Sequence, residues 1–197
     1  QAARAASVCD SVAGNLVTNC GFEQIGGNAS SVTGWSTGGP NGVAYSLVGF
    51  GDQHSGNRYL VSNFNTPGSS FVSQVVGGPG TYNVSFWLDL YSQGVPTNPV
   101  PTLTITLGDQ TLPVSLSVTN TQNANYRYFE FFNVTTASSA ELRFTTSGNL
   151  PSVQYVNLFV DDVVVASAVP EPSSLALGLA GLAGLALWRR KRRSEGA

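Results

Sequence analysis

The side chains best placed to do chemistry in this sequence lie on one stretch, residues 81–91. Tyr82, Val84, Phe86, Leu88 and Leu90 alternate with Asn83, Ser85, Trp87, Asp89 and Tyr91. Alternate residues of a strand face opposite sides, so the first set makes an apolar face. The second set puts Trp87 beside Asp89 and Tyr91. An aromatic ring flanked by hydrogen-bonding groups is the make-up of a shelf for a sugar ring. Tyr126, Arg127 and Tyr128 can add to it from another strand. The competing outcome is that these rings pack under loops or under a second sheet.

Asp161 and Asp162 raise a different question. They interrupt an apolar run at 156–165, with no Lys or Arg within ten positions. Neighbouring strand residues point to opposite faces, so one carboxylate is directed at the interior or the rim. Burying it costs several kcal/mol unless it is paired, protonated or bound to a cation. His54 is the single histidine, in Asp52-Gln53-His54-Ser55-Gly56. Triad members converge from distant segments, so this run reads as a rim histidine. No nucleophile elbow, phosphate loop, zinc helix or dinucleotide fingerprint occurs. Spacing alone identifies no glycosidase carboxylate pair. The expectation is no catalytic residue and no enzyme.

The chain has 197 residues, of which only 10% are charged. Five of its nine Lys and Arg form the run Arg189, Arg190, Lys191, Arg192, Arg193, while ten of its eleven acidic residues precede residue 189. The body is therefore acidic, which argues against nucleic acid as a partner. The two cysteines, Cys9 and Cys20, read as one disulfide of an exported chain, closing a loop of about a dozen residues and adding ~3 kcal/mol; the alternative is two free thiols. Ala3-Arg4-Ala5 looks like a small-residue cleavage site, so residues 1–8 are expected to be a leader remnant.

These side chains need a β-rich scaffold. Val, Thr, Phe and Tyr are frequent through residues 9–167, and Gly, Pro or Asn punctuates at short intervals. Strands are expected at 71–76, 81–91, 102–107, 126–133, 141–145 and 153–165. Their number and spacing predict an all-β, antiparallel two-sheet sandwich. From residue 168 the texture changes. Residues 173–188 are apolar and uncharged, and the five cations follow at once. As a helix those sixteen residues reach ~24 Å, somewhat short of a ~30 Å hydrocarbon core. Trp188 suits the interface and the arginine run the cytoplasmic side. One C-terminal transmembrane helix is expected there.

Val169-Pro170-Glu171-Pro172, an apolar helix and then Arg189, Arg190, Lys191, Arg192 and Arg193 closely resemble the PEP-CTERM sorting domain, over about the last 29 residues. The resemblance implies a membrane peptidase or transpeptidase, an exosortase, as partner, in a Gram-negative bacterium that makes exopolysaccharide. It implies a precursor held in the inner membrane with a periplasmic body, cleaved near the prolines and sent to the surface or beyond. The two prolines keep that segment extended, as a peptidase cleft requires, and Glu171 becomes a recognition side chain.

Asn15-Leu16-Val17-Thr18-Asn19-Cys20-Gly21-Phe22-Glu23, Gly34-Trp35, Ser55-Gly56-Asn57-Arg58-Tyr59-Leu60 and Phe159-Val160-Asp161-Asp162-Val163 resemble stretches of galactose-binding-like jelly rolls, carbohydrate-binding modules among them. Cys20-Gly21 departs from that pattern. The resemblance implies a structural calcium held by Glu23 and by Asp161 or Asp162, with carbonyls near 52–56 completing the 6–8 oxygen ligands that the ion takes. It implies a body that binds carbohydrate or exopolysaccharide matrix. A matrix protein with no discrete ligand and a glycan-active enzyme are the alternatives.

Overall fold

In this computed structural model the described residues are 6–26, 32–39, 44–48, 53–63, 68–93, 102–116, 125–148 and 155–168. The strands are β1 (Ser36–Gly38), β2 (Ala44–Val48), β3 (Arg58–Asn63), β4 (Gly68–Gly77), β5 (Gly80–Gln93), β6 (Thr102–Leu107), β7 (Gln110–Leu112), β8 (Arg127–Thr136), β9 (Ala140–Gly148) and β10 (Tyr155–Ser167). They form two five-stranded antiparallel sheets, in the orders β1-β4-β9-β6-β7 and β2-β3-β10-β5-β8. The expected strands at 71–76, 81–91, 102–107, 126–133 and 141–145 are present, most of them longer than expected. β10 ends two residues beyond the expected 165, and residues 153 and 154 lie outside the described set.

Alternation places the core. Val72, Leu142, Phe144, Ile105 and Leu107 of the first sheet are buried against Leu60, Leu88, Leu158 and Val160 of the second. Phe86 and Phe144 join the layers edge to face, centroids 5.2 Å apart. Such burial contributes about 1.5–3 kcal/mol for each large side chain. Trp35 fills one end of the core against Phe22 and Phe144, and its indole N–H donates to the Asn19 carbonyl at 3.3 Å.

Two irregularities shape the second sheet. Between Asp161 and Val164 the register of β10 against β5 shifts, and Asp162 takes φ +48°. A bulge of this kind inserts an extra residue and re-aims its neighbours. The segment enclosed by the disulfide then lies along β10: Leu16 N–H donates to Val165 O at 2.7 Å and Val163 N–H to Cys20 O at 3.0 Å. Asn15 closes the join, its amide donating to Val163 O while its Oδ1 accepts from Val165 N–H. Cys9 and Cys20 are disulfide-bonded. Ser7 and Val8 belong to this folded body, although the sequence assigned them to a leader. Ser7 is buried, and Val8 N–H donates to Ser55 Oγ at 3.0 Å.

The chain divides into two compact units, Gln1–Ser167 and Ala168–Ala197. Val169, Pro170, Glu171, Pro172, the expected membrane helix at 173–188 and the run Arg189 to Arg193 lie outside the described residues. Among the described residues no helix is long and apolar enough to cross a membrane.

Candidate functional site

Two groups of side chains meet on the outer side of the second sheet, and His54 belongs to both. The first is acidic. Asp161 is wholly buried; its Oδ2 accepts from the His54 and Ser55 amides at 2.9 and 3.1 Å, and its Oδ1 from the Asp162 amide at 2.8 Å. Asp162 Oδ1 accepts from Cys9 N–H at 3.1 Å and from Ser55 Oγ at 2.8 Å, and its Oδ2 lies 2.7 Å from His54 Nδ1. Glu23 Oε1 accepts from the Asn57 and Arg58 amides at 2.6 and 2.9 Å. The turn at 53–58 is thus pinned by three carboxylates. The sequence argument sent one of Asp161 and Asp162 inward; the bulge instead lets both reach the same turn.

Burial, and then the charge of Asp162, push the Asp161 carboxyl up to about 8, against the pull of its amide donors. Among the described residues the ion pairs are His54 with Asp162 and Arg143 with Glu141, so none involves Asp161. Ser7 Oγ is buried with no hydrogen-bond partner. It abuts Gly21 and Gly56: a Cβ on Gly21 would fall 1.8 Å from that oxygen, and one on Gly56 would fall 2.2 Å from Glu23 Oε1. Ser7 Oγ, Glu23 and Asp161 therefore face one small polar space that glycine keeps open. Asp162 is committed to His54, Ser55 and Cys9. Among the described residues, the one set of three His, Cys or acidic ligand atoms lying together is Cys9, Asp10 and Cys20, and its sulfurs are joined to each other.

The second group is aromatic. His54 stacks on Trp87, with centroids 3.7 Å apart and planes 17° apart, and meets Tyr126 edge-on at 5.8 Å. Trp87 also touches Tyr128, its cross-strand partner, at 5.1 Å. Tyr91 stacks on Phe159, which meets Tyr59 edge-on. The structure thus divides the expected shelf. Trp87 is half-buried between His54 and Tyr128. Asp89 is buried, its Oδ2 accepting from Asn125 N–H at 3.1 Å, so it anchors the approach to β8. Tyr91 and Tyr126 pack against the small cluster of Tyr59, Val61 and Phe159. Arg127 is exposed, at the parity of Phe129 and Phe131, which pack on the core.

Sequence reasoning missed His54, which orders Trp87, and Phe132, which is 64% exposed. Alternation around Phe129 and Phe131 was the available signal for Phe132. His54 had none, because its partners Trp87, Tyr126, Asp161 and Asp162 all lie on other strands or segments far from it in sequence. Ser55 does not complete a triad: its hydroxyl bonds the Asp162 carboxylate, not the imidazole.

Residues 168–193 match the PEP-CTERM protein-sorting motif. This tail is a PEP-CTERM sorting signal. The motif indicates an exported protein anchored in a membrane before processing and implies an exosortase as the processing enzyme. The body is similar in fold to TmCBM61, solved in complex with beta-1,4-galactotriose; the match has TM-score 0.54 and 17% identity and covers 78% of this chain and 99% of that one. Family 16 Carbohydrate Binding Module-2 matches with TM-score 0.44 and 13% identity, over 78% of this chain and 100% of that one. The enzymatically active domain of bacteriophage CBA120 tailspike protein 4 matches with TM-score 0.48 and 12% identity, over 79% of this chain and 22% of that one. No curated protein sequence matches the chain. The structural neighbours include carbohydrate-binding modules with jelly-roll folds.

Proposed function

We propose that this chain is an exported carbohydrate-binding protein, and that glycan meets the body on the outer face of the second sheet. The observation that carries this reading is the contiguous row of His54, Trp87 and Tyr128, His54 stacked on Trp87 and Tyr128 tilted against it, with Tyr128 48% exposed at the open end. Rings fixed in advance lose little freedom when a sugar settles on them, so more of the contact energy appears as affinity. Binding is favoured over catalysis here because, among the described residues, Asp161, Asp162 and Glu23 beside the aromatic group are engaged in holding the 53–58 turn.

The test is affinity electrophoresis of the protein through gels containing soluble plant and bacterial polysaccharides. Retardation by at least one polymer is expected, reduced in Trp87→Ala. A folded protein that migrates unretarded through every gel defeats the reading and favours a matrix protein with no discrete ligand.

Two finer points belong to the same reading. The precursor sits in the inner membrane of a Gram-negative bacterium with its body in the periplasm. Cleavage near Pro170-Glu171-Pro172 then frees the body for the surface, where exopolysaccharide is the partner. Calcium fits the space around Ser7 Oγ. Glu23 and Asp161 would hold it with that hydroxyl and nearby carbonyls, while Asp162 would not take part. The ion would neutralise buried carboxylate charge and clamp the N-terminal segment to the 53–58 turn. Isothermal titration with calcium should give saturable heat that Glu23→Gln abolishes; no heat in either protein rejects the ion.

A further inference from the structure

β8 is an edge strand whose two faces differ. Phe129 and Phe131 point inward, each about 6 Å from the Phe86 ring. Tyr128, Glu130 and Phe132 share the opposite parity and are all exposed. At the rise of an extended chain, Tyr128 and Phe132 lie about 13 Å apart along the strand. Two exposed aromatic rings with a carboxylate midway form a line, not a pocket. Tyr128 is fixed in it from two sides: its hydroxyl donates to Glu130 Oε1 at 3.1 Å, and its ring rests on Trp87.

A line of aromatics on an edge strand can serve a second copy of the chain or a ligand. The edge is badly suited to strand addition. Its register breaks opposite Tyr82 and Val84, where Asn133 takes φ +55° and gives its N–H to Asn83 Oδ1 at 3.0 Å. Bulges and charges placed mid-strand block pairing. The face remains open. Its charge narrows the ligand: residues 6–168 hold three arginines against nine acidic side chains, and Glu130 stands between the two rings. A polyanionic chain would be repelled there, whereas sugar hydroxyls can donate to the carboxylate.

We propose that the outward face of β8 selects an extended, uncharged polysaccharide, with sugar rings stacked on Tyr128 and Phe132 and hydroxyls donating to Glu130. Trp87 is then a positioning residue beneath Tyr128. The proposal rests on reading the body as carbohydrate-binding.

The experiment uses the full chain in mild detergent, with soluble glucan, xylan, galactan and mannan as neutral probes and polygalacturonate as the acidic probe. Tyr128→Ala and Phe132→Ala should each weaken binding to the retained neutral polymer by about ten-fold. Their melting temperature should change by no more than a few degrees, little for Phe132→Ala and slightly more for Tyr128→Ala, which loses the ring contact with Trp87. Glu130→Gln should keep most of the neutral binding and gain retention by polygalacturonate. Neutral binding that survives in the Tyr128→Ala, Phe132→Ala double variant overturns the β8 assignment and leaves the carbohydrate reading standing. Absence of retention by every polymer overturns both. Self-association that Phe132→Ala abolishes, without glycan binding, makes the stripe an interface and likewise overturns the proposal.

Discussion

Replacing Asp161 by Asn removes the one carboxyl whose ionisation the fold resists most. Burial, and then the neighbouring Asp162 charge, raise the Asp161 carboxyl from the ordinary 3.8 of an exposed aspartate to about 8 in the fold. Between those limits the native state holds a proton that the unfolded state has released. Stability is therefore fully present below pH 4 and declines as pH rises through the folded value. Each pH unit in that window removes up to ~1.4 kcal/mol, so pH 4 to 7 costs about 3–4 kcal/mol. For a body of this size that lowers the melting temperature by roughly 10 °C. The assay is thermal unfolding followed by circular dichroism from pH 4 to 7, in EDTA and again in calcium. In EDTA the wild type should lose stability with rising pH, while Asp161→Asn stays flat. At pH 4 the variant should be weaker by about 1–3 kcal/mol, because an amide cannot accept on both sides from the His54, Ser55 and Asp162 N–H groups. In calcium the wild-type slope should reverse, since a divalent cation favours the ionised carboxylate. Equal wild-type melting temperatures at pH 4 and 7 in EDTA, with the variant running parallel, would refute the buried-acid argument.

Three further outcomes follow from other contacts. The double variant Cys9→Ser, Cys20→Ser should lose about 3 kcal/mol of stability, read as a fall in denaturant midpoint with a slope equal to or slightly above the wild type's, because the unfolded chain is no longer cross-linked. Asp109 accepts from Thr136 Oγ1 at 2.6 Å, and that bond holds its carboxyl below the usual range; Asp109→Asn should therefore change stability at neutral pH but lose the difference as pH falls through the folded value, checked by urea midpoints from pH 2 to 7. Mass spectrometry of the secreted protein should find no peptide beyond Trp188; abundant tail peptides outside the cell would contradict removal of the sorting signal.

The longer strands of both sheets were legible because they obey a period of two. The apolar parity of 81–91 gave β5 and its inward face without any knowledge of partners, and 102–107 gave β6 outright. The short strands Ser36–Gly38, Ala44–Val48 and Gln110–Leu112 were not legible. Three to five residues hold too few repeats of the pattern, and their pairing is set by neighbours far away in sequence. The same limit applies to the site. The outward parity of Trp87, Asp89 and Tyr91 was correct, but accessibility depends on what crosses above. Asn125 covers Asp89 and His54 covers Trp87, both brought there by loop closure. The acid pair was read correctly as a problem that the fold must solve. Its solution required the bulge at Asp162, which no local residue preference announces.

One turn joins the two halves of the site. The His54 backbone N–H is held by Asp161, its imidazole by Asp162, and the same ring lies flat on Trp87. A change that loosens the acid cluster therefore frees the imidazole, and with it the support beneath Tyr128. The reverse does not hold: removing Tyr128 leaves every hydrogen bond of the 53–58 turn in place. The coupling predicts an asymmetry. His54→Ala should weaken glycan binding without removing any exposed ring, while Tyr128→Ala should weaken binding and leave the pH dependence of unfolding untouched. Loss of affinity in Tyr128→Ala together with a changed pH profile would mean that the aromatic face helps to hold the acid turn, and that the order of support runs the other way.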